Sequence, residues 1–490
     1  MKFLRKLVDS GRKLYHEPGS KFHKMWPLFD AAETFLFVPG TKTGKTGPHV
    51  RDYVDLKRVM STVIMALMPC LLFSIWNTGY QHFFAIAGML GDGGGSPYPS
   101  VIGWLQWLVF GAEYAPNVAS PAFGDIVVFG LQQMLPILFV SYFVGLNIEG
   151  LFAVLRKEDV SEGYLVTGML IALIVPPSIP LWQLAIAVAF SVILCKEVFG
   201  GTGMNIFNPA LMARAFLFFA YPAQMSGDFA WVAGNGQASL IDGYSGPTSL
   251  AVAAQCKLDG NHFAAEELGD LPDTAVEALH EAGYSFSDLF FGITSGSAGE
   301  TSVLCCLLGA ALLLLTGIGS WRTMLSGVIG LVSMAWIMNG FAGHLDGIGG
   351  LPVHYHLVMG GFAFGIVFMA TDPVSSPETN TGKWIYGFLI GAVTVLVRAV
   401  NPAYPEGTML AILLLNAEDP IENLAALVVP KDLGILDHRH HPELDTSASQ
   451  LSPFRVVRVH ECAGRGARPL RARQQRELWL VDEAARRRGH

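Results

Sequence analysis

Charge-free apolar runs separated by short polar punctuation recur along most of the chain, and several are long enough to cross a bilayer as a helix, which takes about 20 residues. Spans are predicted near 59–76, 126–148, 163–175, 181–195, 207–222, 302–319, 324–343, 355–371, 384–400 and 407–417. The stretch at 101–112, VIGWLQWLVFGA, is too short to cross. Its tryptophans place it at the membrane interface, where that residue is enriched. The predicted fold is an all-α integral membrane protein of about ten transmembrane helices.

The pattern is duplicated. LIALIVPPSIPLWQLAIAVAFSVILCKEVFGGTGMNIFNPALMARAFLF and GIVFMATDPVSSPETNTGKWIYGFLIGAVTVLVRAVNPAYPEGTMLAILLL each run from an apolar helix into a proline-serine turn. The turns are Pro176, Pro177, Ser178 and Pro373, Val374, Ser375, and an Asn-Pro-Ala triplet follows each, at 208–210 and 401–403. Two pseudo-repeated halves with helices broken at matching points are a common build for proteins that hold ions or ligands at mid-membrane, because broken ends expose backbone polar groups. Prolines that merely shape helix ends are the simpler account of any one turn.

Composition agrees with the pattern: 51% of the 490 residues are hydrophobic and 15% charged, well below the usual quarter for soluble domains. The net charge of -8 carries little information, and no nucleic-acid partner is expected. Lys and Arg crowd into residues 1–58 and into LRKED at 155–159, which the positive-inside rule makes cytoplasmic. The organisation read from this is a basic cytoplasmic N-terminal arm at 1–58, a first membrane half at 59–223, a long polar loop at 224–300, a second membrane half at 301–417 and an atypical tail at 418–490. The loop carries a single basic residue, Lys257, and is expected on the outer face. The N-terminus has no apolar core of signal-peptide length. The six cysteines show no paired spacing, and most lie in apolar runs as small buried hydrophobes.

Few segments offer chemistry. DGYSGPTSL at 242–250 reads first as a Gly-Pro turn with Thr248 or Ser249 capping a short helix. The functional alternative needs an exposed, sterically open hydroxyl on a rigid turn with an acid nearby, parts that Thr248, Gly246 and Asp242 supply. Ionisable groups in apolar spans are costly and so draw notice: Glu149, Arg214, Asp372 and Arg398. Glu149 and Asp372 beside freed backbone carbonyls are candidate sodium ligands, since hard cations take oxygen. Equally, Glu149 is interfacial and Asp372 caps a helix break or pairs with an arginine. No metal centre is expected, and the histidine run at 437–441 reads as a solvated loop. GDGGGS at 91–96 is not a dinucleotide-binding fingerprint, so the chain is not expected to bind NADH.

DGYSGPTSL resembles the flavinylation motif Asp-x-x-Ser-Gly-Ala/Ser-Thr/Ser. With KEVFGGTGMNIFNPALMARAFLFFAYPAQMSGD, GGFAFGIVFMATDPVS and VRAVNPAYPEGTMLAILL, it makes the chain similar, from HVRDYVDLKRVM to about Leu415, to the B-subunit family of bacterial sodium-translocating NADH:quinone reductases. The resemblance implies ten transmembrane helices, a covalent FMN held as a phosphoester on Thr248, with Asp242, Ser245 and Gly246 around it, and a non-covalent riboflavin near Asn205 and Asn208. It implies quinone contacts at Gly145, Glu162, Phe216 and Phe218, and sodium uptake at Glu149. It implies partners too: a second covalent-FMN subunit, an NADH-oxidising subunit with FAD and an iron-sulfur cluster, ubiquinone, sodium and membrane lipid, in the bacterial inner membrane. One departure is Pro247, where the family has a small residue, because proline removes an N–H and fixes φ. The related D subunit of ferredoxin:NAD oxidoreductase complexes shares the motif. A channel is a third reading, since paired Asn-Pro-Ala boxes are similar to those of aquaporins.

Past Leu415 the apolar pattern gives way to NAEDPIENLAALVVPKDLG, and beyond Lys431 every strongly basic residue is arginine. This shift in composition is what a change of reading frame in the coding sequence would produce.

Overall fold

The computed structural model describes residue 29 and residues 56–90, 104–111, 120–156, 163–203, 205–225, 227, 247–254, 275–341, 348–377, 379–401 and 406–416. The chain divides into units Met1–Val428 and Val429–His490. All described residues belong to the first. Nearly all of the basic arm, much of the polar loop and the whole atypical tail lie outside the described residues.

Among the described residues the secondary structure is helical, without strands. Helix α1 (Leu56–Leu90) is followed by the short α2 (Trp104–Phe110) and by α3 (Phe123–Arg156). Next come α4 (Tyr164–Ile174), α5 (Leu181–Ser191), which runs into a π-helical turn at Val192–Glu197, and α6 (Pro209–Ala220). Three short helices lie in the polar region: α7 (Ser249–Ala254), α8 (Ala275–Glu281) and α9 (Phe286–Phe291). The remainder comprises α10 (Val303–Leu315), α11 (Trp321–Phe341), α12 (Val353–Val358), α13 (Phe362–Phe364) with a π turn at Gly365–Met369, α14 (Asn380–Val400) and α15 (Gly407–Asn416).

Among the described residues, four helices are long and apolar enough to cross a membrane unaided, at Arg58–Ile86, Phe123–Arg156, Trp321–Gly340 and Asn380–Val400. Their outward side chains include Phe139, Phe143, Leu72 and Trp336, all exposed. Such a surface suits lipid, and the chain is a membrane protein. The other expected spans meet shorter helices. The run at 355–371 departs most: it is broken into α12 and α13 where Gly360 takes a φ of 64°, a left-handed conformation that side chains rarely adopt.

Packing relies on close backbone approach, as it does where lipid removes the hydrophobic drive between helices. Between α11 and α14 a Cβ added at Gly391 would stand 2.0 Å from the Gly327 carbonyl oxygen, and one at Gly330 would stand 2.0 Å from that of Phe388. Ser326 Oγ donates across the same seam to the Lys383 carbonyl at 3.2 Å. Gly79 and Gly130 give α1 and α3 an equivalent seam, against the carbonyls of Ile126 and Ile75. Helix α2 packs on α3, with the Leu105 amide donating to Gln132 at 3.3 Å, and does not cross. Cys70, Cys195, Cys305 and Cys306 are all buried.

The described part of the polar loop is not loose. Leu250, Ala253, Ala278, Leu279 and Leu289 form a small core with Val303, Leu351, Tyr355 and Val358 of the second half. The segment 292–302 then enters the main body. The amides of Ala298 and Gly299 donate to the carbonyls of Val175 (3.1 Å) and Leu173 (2.7 Å), so the end of α4 is met by protein rather than water.

Gly391→Leu should destabilise the fold by about 1–3 kcal/mol through overpacking, measured as loss of the detergent-solubilised species on heating. Gly340→Leu, on the same pair of helices at a position with open space around it, should leave the heating profile unchanged.

Candidate functional site

Two cavities hold the residues of interest, and α6 connects them. The first, of about 80 Å³, is lined by Lys196, Thr202, Asn205, Asn208, Thr371 and Asp372 among apolar residues such as Val63, Leu170 and Phe368. Asn208 sits at the N-cap of α6: its Oδ1 accepts from the amides of Ala210 (2.9 Å) and Leu211 (3.5 Å). Pro209 follows at the first helical position, where its missing N–H costs nothing. The Asn208 Nδ2 donates to Asp372 Oδ2 at 3.4 Å. Asp372 also accepts from Ser375 Oγ (2.9 Å) and from the Val374 amide (3.3 Å).

Asp372 therefore caps the second proline-serine turn and ties it to the first Asn-Pro-Ala box, as expected of a residue at a helix break. Asn205 lines the same cavity, with its Nδ2 donating to the Phe207 carbonyl at 3.1 Å. The structure brings Asn205, Asn208 and Asp372 together. It also shows that much of the Asn208 amide is committed to holding the helix start.

Glu149 lies elsewhere. It is buried on α3 and forms an ion pair with Lys196 at 2.6 Å, with Thr202 Oγ1 also donating to it at 3.4 Å. Glu149 is thus a buried, paired carboxylate, because removing a carboxylate from water demands a partner. Lys196 stands on the π turn and also lines the first cavity, so it connects Glu149 to that space.

The second cavity is smaller, about 30 Å³, and is lined by Thr248, Thr294, Ser297, Glu300, Gly361 and Glu406, among others. Thr248 precedes α7. Its amide donates to the Gly227 carbonyl (2.9 Å), its carbonyl accepts from Val252 (3.0 Å), and its Oγ1 accepts from Ala251 at 3.4 Å. The capping reading is realised. The hydroxyl is not openly exposed, however: Thr248 is 5% exposed and faces an internal space. Pro247 is fixed through its carbonyl, which accepts from Tyr284 Oη at 2.8 Å. Gly227 leaves room for the hydroxyl, since a Cβ there would stand 2.7 Å from Thr248 Oγ1.

The acids beside this cavity are Glu300 and Glu406, and both pair with Arg214 on α6. Asp242, Ser245 and Gly246 lie outside the described residues, as does Glu162. With room for only a few waters, the cavity could accept a small attaching group beside Thr248 and not a tricyclic ring.

Of the expected quinone residues, Gly145, Phe216 and Phe218 are described. Gly145 faces Tyr164, whose ring would be 1.8 Å from a Cβ there, and this packing accounts for the glycine by itself. Phe216 stacks on Phe190 at 4.5 Å and Phe218 meets Phe219 edge-on at 5.4 Å. None of the three lines either cavity. Arg398, 1% exposed, donates to the carbonyls of His356 (2.7 Å) and Met359 (2.8 Å).

Lys196, Thr202, Gly227, Glu300 and Glu406 were not singled out in the sequence. Lys196 interrupts the apolar run SVILCKEVFG and could have been found by the same test that found Arg214. The others are brought to the site by contacts between residues far apart in the chain.

Comparison with known proteins agrees with the motifs. The family model described as "NQR2, RnfD, RnfE family" matches residues 43–434. The match passes Leu415, which moves the end of the family-like sequence to residue 434. The chain is 44% identical over 408 residues to a protein of Stutzerimonas stutzeri named as the B subunit of Na(+)-translocating NADH-quinone reductase, covering 83% of this chain and 93% of that one. It is 45% identical over 408 residues to the protein of that name from Azotobacter vinelandii (83% and 92%), and 43% identical over 425 residues to that from Pseudomonas aeruginosa (85% and 95%). With a match over most of its length and relatives this similar along nearly all of theirs, the chain belongs to the NQR2, RnfD, RnfE family.

Proposed function

We propose that the chain is the B subunit of a sodium-translocating NADH:quinone oxidoreductase, a multi-pass protein of the bacterial inner membrane with its N-terminus in the cytoplasm. In this reading it receives electrons from a partner that carries covalent FMN, itself supplied by an NADH-oxidising subunit with FAD and an iron-sulfur cluster. It passes them through FMN on Thr248 and then riboflavin to ubiquinone, and the transfer drives sodium outward. The observation that carries the reading is the family membership along residues 43–434, in a chain whose motif threonine stands on a braced turn with its hydroxyl on a cavity wall.

A flavin supplies the electron chemistry when bound, so the protein has to provide position and surroundings. At Thr248 the residues fit attachment. The Gly227 carbonyl and the Tyr284 hydroxyl hold the two edges of the peptide group that precedes the residue, and Gly227 has no side chain to crowd the oxygen. At the first cavity the apolar walls and the amides at its edge match the faces and polar rim of a riboflavin in character, with Asn205 placed to meet that rim, and a space of about 80 Å³ would have to widen to admit the ring. Glu149 and Asp372 are proposed as sodium positions at separate points. Glu149 would exchange its bond to Lys196 for the ion, and Asp372 would offer an oxygen on the first cavity.

A duplicated ten-helix core is also proposed. Neighbour relations support it: α3 packs on α5 as α11 does on α14, α5 on α6 as α14 on α15, and α1 meets α10 while α6 meets α15. The relatives' names favour the quinone reductase over the ferredoxin-linked complex.

The test is fluorescence of the denatured chain in a gel, from cells able to attach flavin. Wild type should give a fluorescent band and Thr248→Ala should abolish it; a dark wild-type band would defeat the reading. Gly227→Ala should lower the attached fraction several-fold while leaving the amount of chain in the membrane unchanged, as read by fluorescence per chain on the same gel. Pro247→Ala should leave attachment intact, because the turn is held through the neighbouring backbone and not through the ring.

A further inference from the structure

The cavity beside Thr248 is bounded by acid. Glu300 and Glu406 both line it, with side chains 4% and 12% exposed. A phosphoester at Thr248 would add more negative charge to a confined space that already holds two carboxylates, and like charges repel strongly where water is scarce.

Arg214 opposes this. From α6, itself 2% exposed, it donates Nη1 to Glu300 Oε1 at 2.5 Å, and Nη2 both to Glu406 Oε2 and to Ser297 Oγ, the latter at 3.4 Å. One guanidinium thus holds three groups of the wall, from the 292–302 segment and from the approach to α15. The fork of five donors suits this task in a way an ammonium does not. Arg214 is not itself on the wall and so acts through the carboxylates. A second cation, Arg398, lies behind Gly360 of the same wall, where a Cβ would come within 3.1 Å of its Nη2.

We propose that Arg214 is a positioning residue of the flavin site: by clamping Glu300 and Glu406 it offsets their charge, which allows a phosphoester at Thr248 and sets the reduction potential of the flavin carried there. The inference rests on the flavin reading of Thr248. It goes beyond that reading by assigning the charge balance of the cavity to named residues.

The test uses the assembled membrane complex. Arg214→Leu should lower attached flavin per chain by about tenfold. In the chains that carry it, the reduction equilibrium should shift at least tenfold toward the oxidised form, about 30 mV for a two-electron couple. Arg214→Leu combined with Glu300→Gln and Glu406→Gln removes all three charges while keeping the shape of the acids. It should restore attachment and carry the potential back past the wild-type value, because two carboxylates and only one cation are removed, whereas a purely structural brace would stay broken.

Glu406→Gln alone, nearly isosteric, should assemble and move the potential to more positive values. This variant decides the matter even if Arg214→Leu does not assemble. An unchanged potential in Glu406→Gln, or a triple variant no better than Arg214→Leu, overturns the proposal. Wild type is the control: lack of flavin there defeats the Thr248 reading and the clamp with it, while flavin on wild type and unresponsive variants defeats the clamp alone.

Discussion

Helices that stop inside an apolar interior leave backbone groups that only protein can satisfy, and the described architecture follows from how these are met. The carbonyls at the end of α4 are taken by the amides of residues 298 and 299. That contact draws the 292–302 segment inward, where Asn77 on α1 donates to the Thr294 carbonyl at 3.0 Å. Glu300 is carried with it to Arg214. The cavity beside Thr248 is therefore a by-product of closing a broken helix, and its acid wall is placed by the same hydrogen bonds.

Helix α6 ties the two cavities into one frame. Asn208 caps its start on the first cavity, and Arg214, six residues on, reaches the wall of the second. At 1.5 Å per residue the two positions are about 9 Å apart along the axis. The helix is thus engaged at both points, at Asn208 with the first cavity and at Arg214 with the second. Buried charges reinforce this, since breaking such a pair leaves an uncompensated ion at a cost of about 3–5 kcal/mol.

Much of this could be read in the sequence, and the limits have physical causes. Apolar runs located the helices because lipid demands continuous hydrophobic stretches, and the motif around Thr248 was legible because glycine and proline fix a turn locally. The break within 355–371 was missed because periodicity cannot distinguish one long helix from two with a left-handed glycine between them. The functional reading of Thr248 needed an open hydroxyl, yet the residue faces inward, since the packing of α7 and α9 on α12 is a matter of residues far apart in the chain. Glu300, in SGSAGETS, carries no local signal at all. Its partner lies 86 positions away. The quinone positions came only from resemblance, and the structure gives Gly145 a packing role of its own.

Arg214 follows the first Asn-Pro-Ala box by six residues counted from Asn208, and Glu406 follows the second by five counted from Asn401. Arg214 stands within α6, whereas Glu406 stands just before α15 begins. The acid wall of the Thr248 cavity therefore depends at once on the rotation of one helix and on the point where another starts, and a change in either would be felt beside the threonine.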